Sequence, residues 1–207
     1  MTGKNDTEME KTILREAERL FLEKGFALTS TTEIAKAAGC NQALIHYYYR
    51  TKEQLFAAIF EDKIRLLFED LSVIEEASMS FEDVLRRVIE AHFDLIRANP
   101  RLPFLVMNEL LTNPARVAEL KVRLADAPKA ELFYRMEARL AAEIEAGRVR
   151  PMGILDLVID FVSLNVMYFL AVPILTAVRG LGDAEVEEMT EARRRENVEL
   201  VLRGIRP

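Results

Sequence analysis

The chain of 207 residues is 50% apolar and carries 28 Lys and Arg against 34 Asp and Glu, a formal net charge of −6. Such a supply of apolar side chains can build a core without staples, and a single cysteine, Cys40, excludes an internal disulfide framework and fits a reducing cytoplasm. The acidic balance argues against binding polyanions through overall charge, and the polar start MTGKNDTEMEKTILREAERL lacks the apolar run of a secretory signal.

Gly and Pro fall mainly between segments and no stretch alternates with a period of two, so the chain reads as helical nearly throughout. Thr7 and Glu10 have capping-box spacing ahead of Ile13, Ala17, Leu20 and Phe21 on one face, and Gly25 stands where that helix stops. Ser30 and Glu33 form a second box before a helix of about two turns, with Gly39 at its end. Asn41 is a good N-cap for a third short helix, Gln42 to Tyr49, and Thr51 with Gln54 opens a fourth that continues through Leu55, Phe56, Ile59, Phe60 and Leu67.

Longer amphipathic helices follow, about Phe81 to Ala98, Pro103 to Leu111, Ala115 to Ala146 with a break near Pro128, Ile154 to Arg179 and Asp183 to Arg203. The expected loops are Glu75 to Ser80, Asn99 to Pro103, Asn113 to Pro114 and Gly147 to Gly153. Leu157 to Val178 is apolar enough to suggest a membrane span, but Asp160, Asn165 and Pro173 interrupt it without flanking basic clusters; a buried oligomer interface fits better. The domain boundary is expected within the fourth helix, giving residues 1–60 and 61–207.

Two short helices joined by a three-residue turn containing Gly are what is needed to set a recognition helix into the major groove. The segment TTEIAKAAGCNQALIHYYYRTKEQLF satisfies this: Ala35 and Ala38 are small where the helices approach, Gly39 permits the turn, and Ile45 faces inward. From Thr31 to Lys52 the charges are Glu33 against Lys36, Arg50 and Lys52, a locally cationic stretch in an acidic chain.

Thr29, Ser30, Ile34, Ala35, Ala38, Gly39, Ile45, Tyr47 to Tyr49, Lys52, Glu53 and Leu55 together resemble the TetR family of repressors. The family's usual pattern is Thr-Ser-x-x-x-Ile-Ala-x-x-Ala-Gly-Val-Ser, then Leu-Tyr-x-x-Phe and Lys-Glu-x-Leu. The chain departs from it with Cys40 for Val, Asn41 for Ser, His46 for Tyr and Tyr49 for Phe. Cys40 reads as a small buried hydrophobe rather than a redox sensor, and Asn41 preserves the cap.

The resemblance implies contacts that chemistry supports residue by residue. Gln42 suits an adenine edge, and Ala43 and Leu44 suit a thymine methyl. Thr31, Thr32, Tyr47 and Tyr48 suit phosphates, and His46 a base or phosphate. Lys52, a cation opposing the macrodipole in a first helical turn, is expected to share a phosphate with the free N–H groups there.

The resemblance further implies an all-α chain whose N-terminal helix-turn-helix domain, of three helices, joins through helix four to a larger helical domain that dimerises and binds an effector. The last two helices of each subunit would form a four-helix bundle, consistent with Val198, Val201, Leu202 and Ile205 at helical spacing. Phe104, Met107, Leu111, Phe133, Met136, Phe161, Met167 and Tyr168 are the candidates for an apolar effector pocket. Glu109, Glu137, Asp156 and Asp160 would suit a cationic effector or serve as caps and surface partners. His92, beside Phe93, reads as a satisfied core or boundary histidine.

The expected partners are therefore a palindromic double-stranded DNA operator, a second copy of the chain and a small-molecule effector, with no membrane, cofactor or metal. The site is the cytoplasm. An enzyme is the main rival class, and no Gly-rich phosphate loop, nucleophile elbow or histidine-rich metal motif supports it. A constitutive DNA-binding regulator or a helical adaptor without a small ligand stays open, as does activation in place of repression.

Overall fold

A computed structural model describes the backbone at residues 2–59, 79–112, 118 and 127–207. Nine helices are found among the described residues, and no strand. They are α1 (Thr2–Lys24), α2 (Thr31–Ala37), α3 (Gln42–Tyr49), α4 (described over 52–59), α5 (Phe81–Ala98), α6 (Leu102–Thr112), α7 (Ala127–Glu145), α8 (Ile154–Arg179) and α9 (Asp183–Gly204). Phe60 and Leu67 of helix four, Glu75 of the first long loop, the Asn113 to Pro114 loop and Ala115 lie outside the described residues.

The chain forms two compact units, Met1–Leu66 with Leu105–Glu109, and Leu67–Phe104 with Leu110–Pro207. In the first, Ile13, Ala17, Phe21, Ile34, Ala35, Ala38, Ile45, Tyr49, Leu55 and Phe56 make one buried core. Phe21, Phe26 and Phe56 pack around one another with ring centroids 5.1–5.7 Å apart. One expectation fails at the start: α1 begins at Thr2, so Thr7 is not its N-cap. No proline interrupts residues 2–7, and Glu10, the expected capping partner, instead accepts from the Tyr49 hydroxyl at 3.3 Å.

In the second unit α5 buries Phe81, Val84, Leu85, Ile89, Phe93 and Ile96, a face spaced by three and four residues. Ion pairs Arg86–Glu199, Asp94–Arg194 and Arg97–Glu191 step along α5 and back along α9, so the two helices are antiparallel. The Asn197 to Asn165 and Tyr168 to Thr190 contacts give the same sense between α8 and α9, joined by a tight turn in which Gly180 takes φ +66°. Pro128 is the second residue of α7, where a missing N–H costs little, and residues 119–126 before it lie outside the described residues.

α8 is long and apolar enough to cross a membrane by length and composition, with 22% of its most apolar window buried. Leu155, Ile159, Met167, Ile174, Leu175 and Val178 are exposed along it. At its centre Asn165 is fully buried and donates to the Ile89 carbonyl at 3.0 Å. The same Nδ2 lies 3.0 Å from His92 Nδ1, and Asn197 Nδ2 donates to Asn165 Oδ1 at 2.8 Å, so a chain of amides crosses this core. Burial pushes the His92 imidazole down to about 4, and its ring meets Phe161 edge to face at 5.5 Å.

Candidate nucleic-acid interface

Local chemistry fixes α2 and α3 before any packing is considered. Glu33 N–H donates to Ser30 Oγ at 3.2 Å and Ser30 N–H to Glu33 Oε2 at 3.1 Å, a complete capping box. Lys24 donates to Glu33 at 2.8 Å, and with the Ser30 N–H it holds that carboxyl below the usual range. Thr29 is buried and its hydroxyl reaches the Gly25 carbonyl at 2.9 Å, which anchors the loop that feeds α2.

The turn between the helices rests on Gly39, whose φ of +67° is costly for any residue with a Cβ. Cys40 N–H then donates back to the Ala35 carbonyl at 2.9 Å, and Asn41 Oδ1 accepts from Leu44 N–H at 2.9 Å to start α3. Cys40 is half-buried against the core, and burial raises its thiol pKa.

Successive α3 residues are about 100° apart, so Gln42, Ala43, His46 and Tyr47 share one arc of about 140°. All four are exposed, Tyr47 by 76%, whereas Ile45 and Tyr49 are buried in the core. Leu44 and Tyr48 are half-buried and pack on the core, so less of each side chain faces outward than the sequence suggested. Tyr47 meets Tyr48 edge to face at 5.2 Å. The exposed face of α3 is thus a band of two polar side chains, one small residue and one aromatic.

Gln42 is held from α2. Its Nε2 donates to Thr31 Oγ1 at 2.7 Å, and its Oε1 accepts from Thr32 Oγ1 at 3.3 Å. At the far end of α3, His46 Nδ1–H donates to the Arg50 carbonyl at 2.8 Å, which leaves Nε2 for another partner. Arg50 pays for this C-cap with φ +54° and ψ −49°, a strained backbone for a residue with a side chain. Nothing in the sequence marked Arg50, because it is neither Gly nor Asn.

Lys52 also has partners within the chain. Nζ donates to the carbonyls of Phe26 and Thr29, both at 3.0 Å, and sits 4.2 Å from the Phe26 ring centroid, which leaves the third N–H of the ammonium for another acceptor. Carbonyl dipoles and a π face supply the negative potential, so the lysine ties the loop before α2 to the start of α4. An open cleft beside it is lined by Thr29, Thr31, His46, Arg50, Thr51 and Lys52.

The pocket candidates fall into groups, with Met167 and Tyr168 lining one open groove. Phe133, Met136 and Phe161 belong to one core cluster, and Tyr168 to another with its hydroxyl 2.8 Å from Thr190 Oγ1. Phe104, Met107, Leu111 and Met167 are exposed. Of the acidic candidates, Asp156 accepts from Gly153 N–H at 3.2 Å as an N-terminal cap, Glu137 and Asp160 are exposed, and the Glu109 side chain lies outside the described residues. Among the described residues no group of three His, Cys, Asp or Glu is placed to hold a metal ion.

Residues 13–59 match the family model described as bacterial regulatory proteins of the tetR family. The chain is 30% identical over 104 residues to YerO of Bacillus subtilis, an HTH-type transcriptional regulator, covering 49% of this chain and 36% of the relative, so it spans about a third of that protein's length. It is 23% identical to the fatty acid metabolism regulator protein of the same bacterium, over 67% of this chain and 69% of that one. A Clostridium perfringens structure titled as a fatty acid metabolism regulator superposes with a TM-score of 0.72 at 21% identity, over 94% of this chain and 98% of that chain. A Rhodococcus regulatory protein of the tetR family gives 0.71 at 20% identity, over 95% and 96%. These relatives are regulatory proteins and not enzymes.

Proposed function

Because the chain belongs to the TetR family of bacterial transcriptional regulators, we propose that it is a dimeric repressor that sets α3 of each copy into the major groove of a palindromic operator and is released by a small molecule. The observation that carries DNA reading is the exposed arc of Gln42, Ala43, His46 and Tyr47 on a helix whose other side is locked into a core. Thr31, Tyr47 and Tyr48 position the chain on phosphates, Thr32 acts beside them through its donation to Gln42, and Lys52 supports them by fixing the loop before α2. Such a protein works in the cytoplasm, where its DNA is.

The exposed apolar stripe of α8 supports the dimer. Met167, Ala171 and Leu175 form an open groove with Leu164, Met189 and Ala192, which a second copy covers as a four-helix bundle. Arg193 lines the same groove, and its buried Nε has no acceptor among the described residues, which suits a carbonyl or carboxylate from the other copy. A soluble homodimer hides this stripe from water as well as a bilayer would.

Two of the relatives are named for fatty acid metabolism, and an acyl effector agrees with the apolar character of Phe133, Met136 and Phe161. Their half-buried or buried packing requires rearrangement to admit one, so the effector selects a second arrangement of this unit and shifts the population away from the DNA-competent spacing. Selection of genomic fragments by the purified chain, with and without acyl thioesters, tests the proposal. A palindromic motif whose recovery falls when effector is added supports it; fragments recovered without a common motif refute it.

A further inference from the structure

We infer that Thr31 and Thr32 are specificity-determining positioning residues: they orient the Gln42 carboxamide so that it reads adenine in a fixed sense. The assignment rests on α3 being the helix that reads DNA. It begins with a count of hydrogen-bonding capacity. A carboxamide has two N–H donors and two oxygen lone pairs. One N–H goes to Thr31 Oγ1 at 2.7 Å and one lone pair accepts from Thr32 Oγ1 at 3.3 Å. One donor and one acceptor remain, which is the complement of adenine's N7 acceptor and N6 amino donor. Guanine presents acceptors at both N7 and O6, so the remaining lone pair would face O6 and be repelled.

The two threonines are well placed to impose this. They are the first two residues of α2, whose start is fixed by the Ser30 and Glu33 capping box and by Lys24. A glutamine at the exposed start of α3 otherwise samples many rotamers, each equally able to turn its amide either way. Both hydroxyls can donate or accept, so the pair alone does not choose between the two amide orientations. In the structure Thr31 Oγ1 accepts from Nε2 and Thr32 Oγ1 donates to Oε1, so the Thr31 proton is left for another acceptor and the amide takes one sense.

The test is base-preference profiling of the full chain on a library of random-sequence duplexes. Wild type is compared with Thr31→Val/Thr32→Val, Thr31→Ser/Thr32→Ser, Gln42→Ala and the combination of Gln42→Ala with the valine pair. The valine pair keeps side-chain shape and removes both hydroxyls. The expected result is that the valine pair relaxes the adenine preference at one position per half-site by about tenfold, that the serine pair restores it, and that the valines add nothing at that position once Gln42 is gone. A valine pair that weakens all sequences alike and keeps the adenine preference overturns the inference, since the threonines then act on phosphates only. A Gln42→Ala profile unchanged at every position refutes the underlying assignment of α3 instead.

Discussion

Lys52→Met separates the two roles that a lysine at the start of α4 can have. Methionine keeps most of the apolar stem against the Phe26 ring and removes the ammonium, so the change loses two donations of 3.0 Å to the Phe26 and Thr29 carbonyls and a cation–π contact at 4.2 Å. Hydrogen bonds from a charged donor are worth about 1.5–3 kcal/mol each, but this side chain is half-buried and water re-solvates part of both carbonyls, so the net loss is about 2 kcal/mol. For a chain of this length that lowers the melting temperature by about 4–8 °C. The same protein titrated with operator DNA at several salt concentrations reports the second role. A lysine that neutralises a phosphate contributes about 0.9 to the slope of log K against log salt, whereas a lysine bonded to its own backbone leaves that slope unchanged. A Lys52→Met chain with wild-type melting and a slope smaller by about one refutes the reasoning.

His92 makes stability depend on pH. Its folded pKa of about 4 lies below the ordinary 6.5, so the unfolded chain binds the proton first; its contribution is complete above pH 6.5 and is lost as pH falls toward 4, by about 3 kcal/mol at most. Urea denaturation of His92→Gln across that window should show a flatter profile than wild type, and parallel profiles would count against a buried neutral imidazole. Met167→Asp combined with Leu175→Asp places two carboxylates on the α8 stripe, where both side chains are exposed in one copy. Sedimentation should find a helical monomer at concentrations where wild type is a dimer, and a persistent dimer would remove α8 from the interface.

Much of the fold follows from short-range chemistry that a sequence displays. The α3 bounds, Gln42 to Tyr49, α5 from Phe81 to Ala98 and α8 from Ile154 to Arg179 agree with the observed helices, because Asn41 and Ser80 cap the first two and glycines at 153 and 180 flank the third. The inward Ala35, Ala38 and Ile45 were legible for the same reason: small and apolar residues recur at helical spacing beside a Gly turn. Contacts between distant residues were not legible. Lys52 stood out only as a cation in a first helical turn, and nothing local announces that it also donates to carbonyls 23 and 26 residues away. Thr7 looked like a cap only because Glu10 follows at the right spacing, and no local pattern announces that Glu10 serves Tyr49. The exposure of Phe104, Met107, Leu111 and Met167 was not legible either, since only packing decides which face a helix buries.

The central claim is that two copies of α3 read two half-sites one turn of B-DNA apart. The most direct measurement compares binding of the chain to its selected palindrome and to duplexes whose half-sites are separated by five further base pairs, at matched salt. The account predicts tight binding to the palindrome with a steep salt dependence and a loss of at least about a hundredfold when the half-sites are rotated to opposite faces of the duplex. Equal affinity for both duplexes would contradict it.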